Sequence, residues 1–191
     1  MEINKLKERA YNIALKHGWY DEERSMIERT MMVLTELCEA VNADRNGKHA
    51  DRERFESHMK GNSDCVFMTC FEQYIKDTVE DEFADAVIRI LTIAGQEKAA
   101  LSEDVFSEES ISEGMRIAED SRKNGFYNRV VTLPEELYLV AGPLLTVGPG
   151  EDMLFSLLVI AKIRGIDIEW HIEQKMKYNE IRPYKHGNKK Y

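Results

Sequence analysis

The sequence predicts an all-α protein built as a helical bundle, and three observations carry that prediction. Apolar residues recur at helical spacing in one segment after another. No stretch alternates apolar and polar residues with period two over the length of a strand. Gly and Pro punctuate the ends of several of the periodic segments.

Taken in order, a first helix is expected over residues 2–17, with Ile3, Leu6, Ala10, Ile13 and Ala14 on one side and Gly18 as its stop. A second runs from about 24 to 45, its apolar stripe formed by Ile27, Met31, Leu34, Cys38 and Val41. Residues 46–64 are polar, contain Gly47 and Gly61, and read as a loop with at most a short helical turn. A third helix is expected from about 66 to 96, with Val79, Phe83, Val87, Ile90, Leu91 and Ala94 buried. A weaker helical pattern lies around 109–122 in an acidic, Ser-rich stretch. Pro134 suits the first turn of a helix over 134–146, and Gly148-Pro149-Gly150 breaks the chain. A strongly apolar helix follows at 151–164 and ends at Gly165. Asp167 is placed to cap the last helix, which Pro183 closes.

The 191 residues, 43% of them hydrophobic, suit one domain. No apolar run reaches the ~18–20 residues of a membrane span, and the first residues lack the apolar centre of a signal peptide. Cys38, Cys65 and Cys70 are odd in number and follow no framework spacing, which predicts a reducing, cytoplasmic setting. Cys65 and Cys70 have no second pair at zinc spacing. The net charge of -9 argues against binding a nucleic-acid polymer. That charge is uneven: residues 175–191 set six basic side chains against Glu180 alone, so the tail is +5 and the rest -14. An acidic pocket for metal and a basic tail for phosphate would divide the charge this way; so would an ordinary solvated basic terminus.

Two pairs of acids stand out, Glu36-Leu-Cys-Glu39 and Glu82-Phe-Ala-Asp85. At i and i+3 each pair shares a helix face, and two such helices packed together would bring four carboxylates to one place. Like charges there repel unless a cation joins them. Between Arg29 and Asp44 the only charged residues are Glu36 and Glu39, with Met32, Ala40 and Ala43 beside them. That predicts a sandwiched helix with two buried, compensated acids. On the other helix Arg89 is expected to pair with Asp85 at i+4, and a solvated face with a salt bridge would look the same. All-oxygen ligation suits Mg2+, or Mn2+. Neither pair is followed by the His of a di-iron bundle, and no EF-hand loop is present. Toward the C-terminus, Lys175 and Asn179 share a helix face, Arg182 lies a turn further, and Lys185 follows Pro183. Together these donors suit a polyphosphate.

Glu36-x-x-Glu39, Glu82-x-x-Asp85 and the terminal Lys-x3-Asn-x2-Arg-Pro-x-Lys, in that order, resemble the MazG-like, all-α nucleoside triphosphate pyrophosphohydrolases. The run His17-Gly18-Trp19-Tyr20-Asp21-Glu22 is similar to that family's entry loop. The matches cover residues 10–48, 75–96 and 165–188. The resemblance implies Mg2+-dependent cleavage between the α and β phosphates, giving a monophosphate and pyrophosphate. It implies Glu36, Glu39, Glu82 and Asp85 as metal ligands and Lys175, Asn179, Arg182 and Lys185 as phosphate contacts. Glu39 is the candidate general base. Trp19 is the candidate stacking partner for the base, or else a plug between helices; Trp170 and His171 read as packing residues. Residues 97–150 fall outside the compact family pattern and read as a helical insertion within one domain spanning 1–191. Two alternatives stand beside this reading: a phosphoribosyl-ATP-type pyrophosphohydrolase, and a non-catalytic helical nucleotide-binding or interaction protein. The two-sided second helix and the apolar Met153–Ile163 helix predict a homodimer or homotetramer.

Overall fold

A computed structural model describes residues 1–59, 63–124 and 131–188, and among these there is no strand. Gly61 of the expected loop, Lys189 and Lys190 of the basic tail, and residues 125–130 of the expected insertion lie outside the described residues. The helices are α1 (Ile3–Lys16), α2 (Met26–Arg45), α3 (Arg52–His58), α4 (Asp64–Tyr74), α5 (Val79–Gln96), α6 (Glu108–Asn124), α7 (Leu133–Thr146), α8 (Glu151–Ile163) and α9 (Ile168–Ile181). A tight turn at 185–188 ends the described chain. None of these helices is long and apolar enough to cross a membrane.

Helix α5 is the axis of the bundle, packed by α1, α2, α8 and α9. It is buried over most of its circumference, with Phe83, Val87 and Leu91 on one flank and Ala84, Ile88 and Ile93 on others, and with Asp85, Arg89, Thr92 and Gln96 making a half-buried stripe. A helix so enclosed has only a narrow, partly exposed stripe in place of a solvated face, and Glu82 is buried although it stands opposite the apolar stripe. The two carboxylate-bearing helices, α2 and α5, do pack together. The material at 97–150 is helical, with α6 on α8 and α7 on both α8 and α2. It joins the main core through Leu101, Phe106, Ile111, Leu133 and Leu137. A smaller aromatic core, including Phe55, Phe67, Phe71 and Tyr178, ties α3 and α4 to α9.

Several expected details are corrected. The helix expected over 66–96 is two helices. Thr78 caps α5: its hydroxyl donates to the Ile75 carbonyl at 2.6 Å and accepts from the Asp81 N–H. Asp77 takes a left-handed φ of +60°, a conformation Asp tolerates better than most residues. The stretch 46–64 holds α3, capped by Asp51. On α2 the buried face is Thr30, Val33, Leu37, Ala40 and Ala43, while Ile27 is 77% exposed and Met31 44%. The stripe through Ile27, Met31 and Cys38 therefore faces outward. Most apolar side chains of α8 between Met153 and Ala161 are buried within the chain, with Phe155 partly exposed, so that helix leaves less apolar surface open than its sequence suggests. The expected starts and stops are otherwise close: Ser25 and Glu28 form a capping box on α2, and Asp167 accepts from the Trp170 N–H on α9.

Candidate functional site

The acids gather where α2, α5 and α9 meet. The first turn of α5 carries Glu80, Asp81 and Glu82, where the helix dipole favours negative charge. Glu80 serves the fold, accepting from the Ala50 N–H at 2.9 Å and meeting His49 at 3.0 Å. Glu82 and Asp85 turn instead toward α2. Glu36, Glu82 and Asp85 can each bring one carboxylate oxygen within 4.8 Å of the others. They lie in a cleft of about 470 Å3 that Glu39, Asn179, Arg182 and Trp19 also line.

The four expected acids do not have equal standing. Glu36 is buried, 4% exposed, and its counter-ion is Arg89 of α5. The expected Arg89–Asp85 pair does not form; packing α2 on α5 offers Arg89 a more deeply buried partner. Glu39 is exposed at the cleft and outside the close group, contrary to the expected burial of both α2 acids. Glu82 is buried, and its side chain makes no hydrogen bond or ion pair among the described residues. Asp85, half-buried, binds Lys175 at 2.7 Å.

Asp81 has a role that the sequence did not disclose. It is 1% exposed, and its Oδ2 accepts from Lys175 Nζ at 2.8 Å and from the Asp77 N–H at 3.0 Å. Lys175 is thus 5% exposed and held between two carboxylates rather than standing free for a phosphate. No local spacing signals this contact, which spans 94 positions.

The electrostatics follow from burial. Desolvation, with the Asp85 charge beside it, pushes Glu36 up to about 7 against the pull of Arg89. Glu82, with burial and the charges of Asp85 and Asp81 acting together, is pushed up to about 9. Asp81 rises to about 6 by burial, held back by Lys175. Burial opposes the Lys175 ammonium, but Asp81 and Asp85 outweigh it and raise its pKa. The raised values mean that the crowded carboxyls keep protons rather than bear their full negative charge, because the two internal cations do not offset all of them. The cluster's donors are all carboxylate oxygens, and Glu82 makes no ion pair among the described residues, so the residues fit a hard divalent cation.

The basic tail divides as well. Arg182 lines the cleft and makes no ion pair among the described residues, its guanidinium lying 5.4 Å from the Tyr178 ring. Asn179 is 9% exposed, and its Oδ1 is buried without a hydrogen-bond partner. Lys185 does not line the cleft: its Nζ meets Glu22 at 3.2 Å and its backbone N–H donates to His17 at 2.9 Å. Tyr184 donates to Asp21 and packs against Gly18, where a Cβ would run into its ring. Gly18 has φ +73°, so both its conformation and its lack of side chain clasp the tail onto the 17–22 turn. Trp19 stands edge-on to His186 at 5.2 Å. Trp170 and His171 lie apart from the cleft; Trp170 packs on Phe55 beneath Arg52. The three cysteines are free.

Comparison of the chain with known proteins finds no matching family model, no matching curated protein and no matching solved structure. The chemistry of the cleft itself is what bears on function.

Proposed function

We propose that this protein is a divalent-cation-dependent nucleoside triphosphate pyrophosphohydrolase of the MazG-like kind, cleaving between the α and β phosphates. One observation carries the reading: three carboxylates from two helices converge in a cleft that is also lined by Arg182 and by Asn179, whose buried Oδ1 has no partner among the described residues. Glu36, Glu82 and Asp85 would hold Mg2+, or Mn2+ in its place. When bound, the ion supplies charge neutralisation on the phosphates and a more acidic water. Arg182 offers two parallel donors to phosphate oxygens, and Asn179 adds an amide. Lys175 contributes positive charge from within the acid cluster. Glu39, solvated and at the cleft, is suited to accept a proton from the attacking water. Trp19 offers a ring face to the base.

A second reading, a non-catalytic nucleotide-binding bundle, is favoured by one specific observation: Arg89 and Lys175 already compensate Glu36 and Asp85 without any ion. A panel of nucleoside and deoxynucleoside triphosphates, with phosphoribosyl-ATP, incubated with Mg2+ or Mn2+ and read by product identity, separates the readings. A monophosphate with pyrophosphate is expected. Neither product across the whole panel would leave only the binding protein.

A further inference from the structure

Resting on the cation site just proposed, we propose that Asp81 is a positioning residue for it. By holding Lys175 part-way off Asp85, Asp81 leaves the cluster negative enough to take a divalent cation. Asp81 does not itself line the cleft, although one of its oxygens lies within 4.8 Å of oxygens of Asp77 and Glu82, which do. Besides its own charge beside Glu82, it reaches the site through Lys175 Nζ, which it shares with Asp85 at nearly equal distances of 2.8 and 2.7 Å. One positive charge divided between two carboxylates leaves Asp85 only partly compensated. Take Asp81 away and the whole ammonium falls to Asp85, a member of the three-acid group.

Stability alone does not call for this arrangement. A buried ion pair is commonly no better for folding than apolar residues of the same size, and here three charged groups share one desolvated spot. The pair is also anchored from behind: the Asp77 N–H holds Asp81 Oδ2 at 3.0 Å, and Asp81 Oδ1 has no partner. Lys175 therefore sits on a fixed carboxylate rather than a mobile one. An independent feature points to a ligand at the same place. Asn179, one turn along α9 from Lys175, is 9% exposed, lines the cleft and keeps an unpartnered Oδ1. Such a group is left unsatisfied in the interior at a cost unless something binds there.

The test is Mn2+ binding at pH 7.5, by electron paramagnetic resonance titration without nucleotide, on the full chain and its D81N, K175M and D81N/K175M variants. Circular dichroism checks that each is folded. D81N is expected to weaken Mn2+ binding and K175M to strengthen it, each by roughly tenfold or more for a unit charge this close in a partly buried site. With K175M in place, adding D81N should change affinity clearly less than it does in the wild type, because the path through Lys175 is gone and only the direct charge beside Glu82 remains. If K175M does not fold, K175Q, which keeps a donor without the charge, must shift affinity in the same sense. Shifts of the same sign for D81N and the Lys175 variant, or an undiminished D81N effect in the double variant, would overturn this inference alone. A wild-type protein that binds no Mn2+ would overturn it together with the cation site.

Discussion

Replacing Lys175 by Met keeps an unbranched side chain of similar length and removes the ammonium, its charge and its hydrogen bonds together, so it probes what the buried ion pair does for the fold. In the native protein the Lys175 ammonium is 5% exposed and lies 2.8 Å from Asp81, itself 1% exposed. With the ammonium gone, Asp81 keeps one hydrogen bond, from Asp77, and loses its only counter-ion. Removing one partner of a buried pair strands a charge and costs about 3–5 kcal/mol. For a chain of this length each kcal/mol lowers the melting temperature by about 2–4 °C, so K175M should melt about 10 °C lower. Urea unfolding at pH 8 measures the loss directly. Neutralising both partners in D81N/K175M should restore most of it, giving a coupling of about 2 kcal/mol or more in a double-mutant cycle. A loss below about 1 kcal/mol for K175M, or no coupling, would mean that the pair is solvated and that the buried trio described above is not how α9 is held.

Other consequences can be checked independently. Burial holds the His171 imidazole down at about 4, whereas a free imidazole titrates near 6.5. The unfolded chain alone takes up this proton between pH 6.5 and 4, so its contribution is full above that window and about 3 kcal/mol is lost below it. Stability of wild type relative to H171F, from urea curves at pH 7.5 and 4.5, should fall accordingly; an unchanged difference refutes the assignment. A Cβ at Gly18 meets both a φ of +73° and the Tyr184 ring, so G18A should cost about 1–2 kcal/mol and make the chain after Pro183 more sensitive to limited proteolysis. Arg182 has no internal ion partner among the described residues, so R182Q should leave the melting temperature within about 2 °C. It should also lower kcat/KM on any accepted triphosphate by about tenfold or more; a fully active R182Q would remove the basic wall of the cleft from the account.

The parts of the fold written in local chemistry were legible in the sequence. Gly18, Asp167 and Pro183 each act within one turn of where they stand, and the starts and stops they mark are close to those observed. The Thr78-x-x-Asp81 cap was equally local, yet the apolar periodicity on both sides of it suggested one continuous helix. Helix α2 shows a different limit. Both of its flanks are apolar, so pattern alone cannot tell that Val33 and Leu37 go inward while Ile27 and Met31 go out. Within the site, the acid pairs were visible because i, i+3 spacing is a local fact. The choice among cations was not: Arg89 prefers Glu36 over Asp85, and Lys175 joins Asp81 and Asp85, only because α2 and α9 pack on α5.

The account rests on Glu36, Glu82 and Asp85 forming a site for a divalent cation, and Mg2+-dependent melting of wild type against E82Q tests that most directly. Glu82 has no partner to lose, so E82Q should melt no lower than wild type in the absence of metal. Each tenfold rise in Mg2+ above the dissociation constant should add about 1.4 kcal/mol to the wild type, raising its melting temperature steadily while E82Q stays flat. Parallel, metal-insensitive melting of the two proteins would contradict the account.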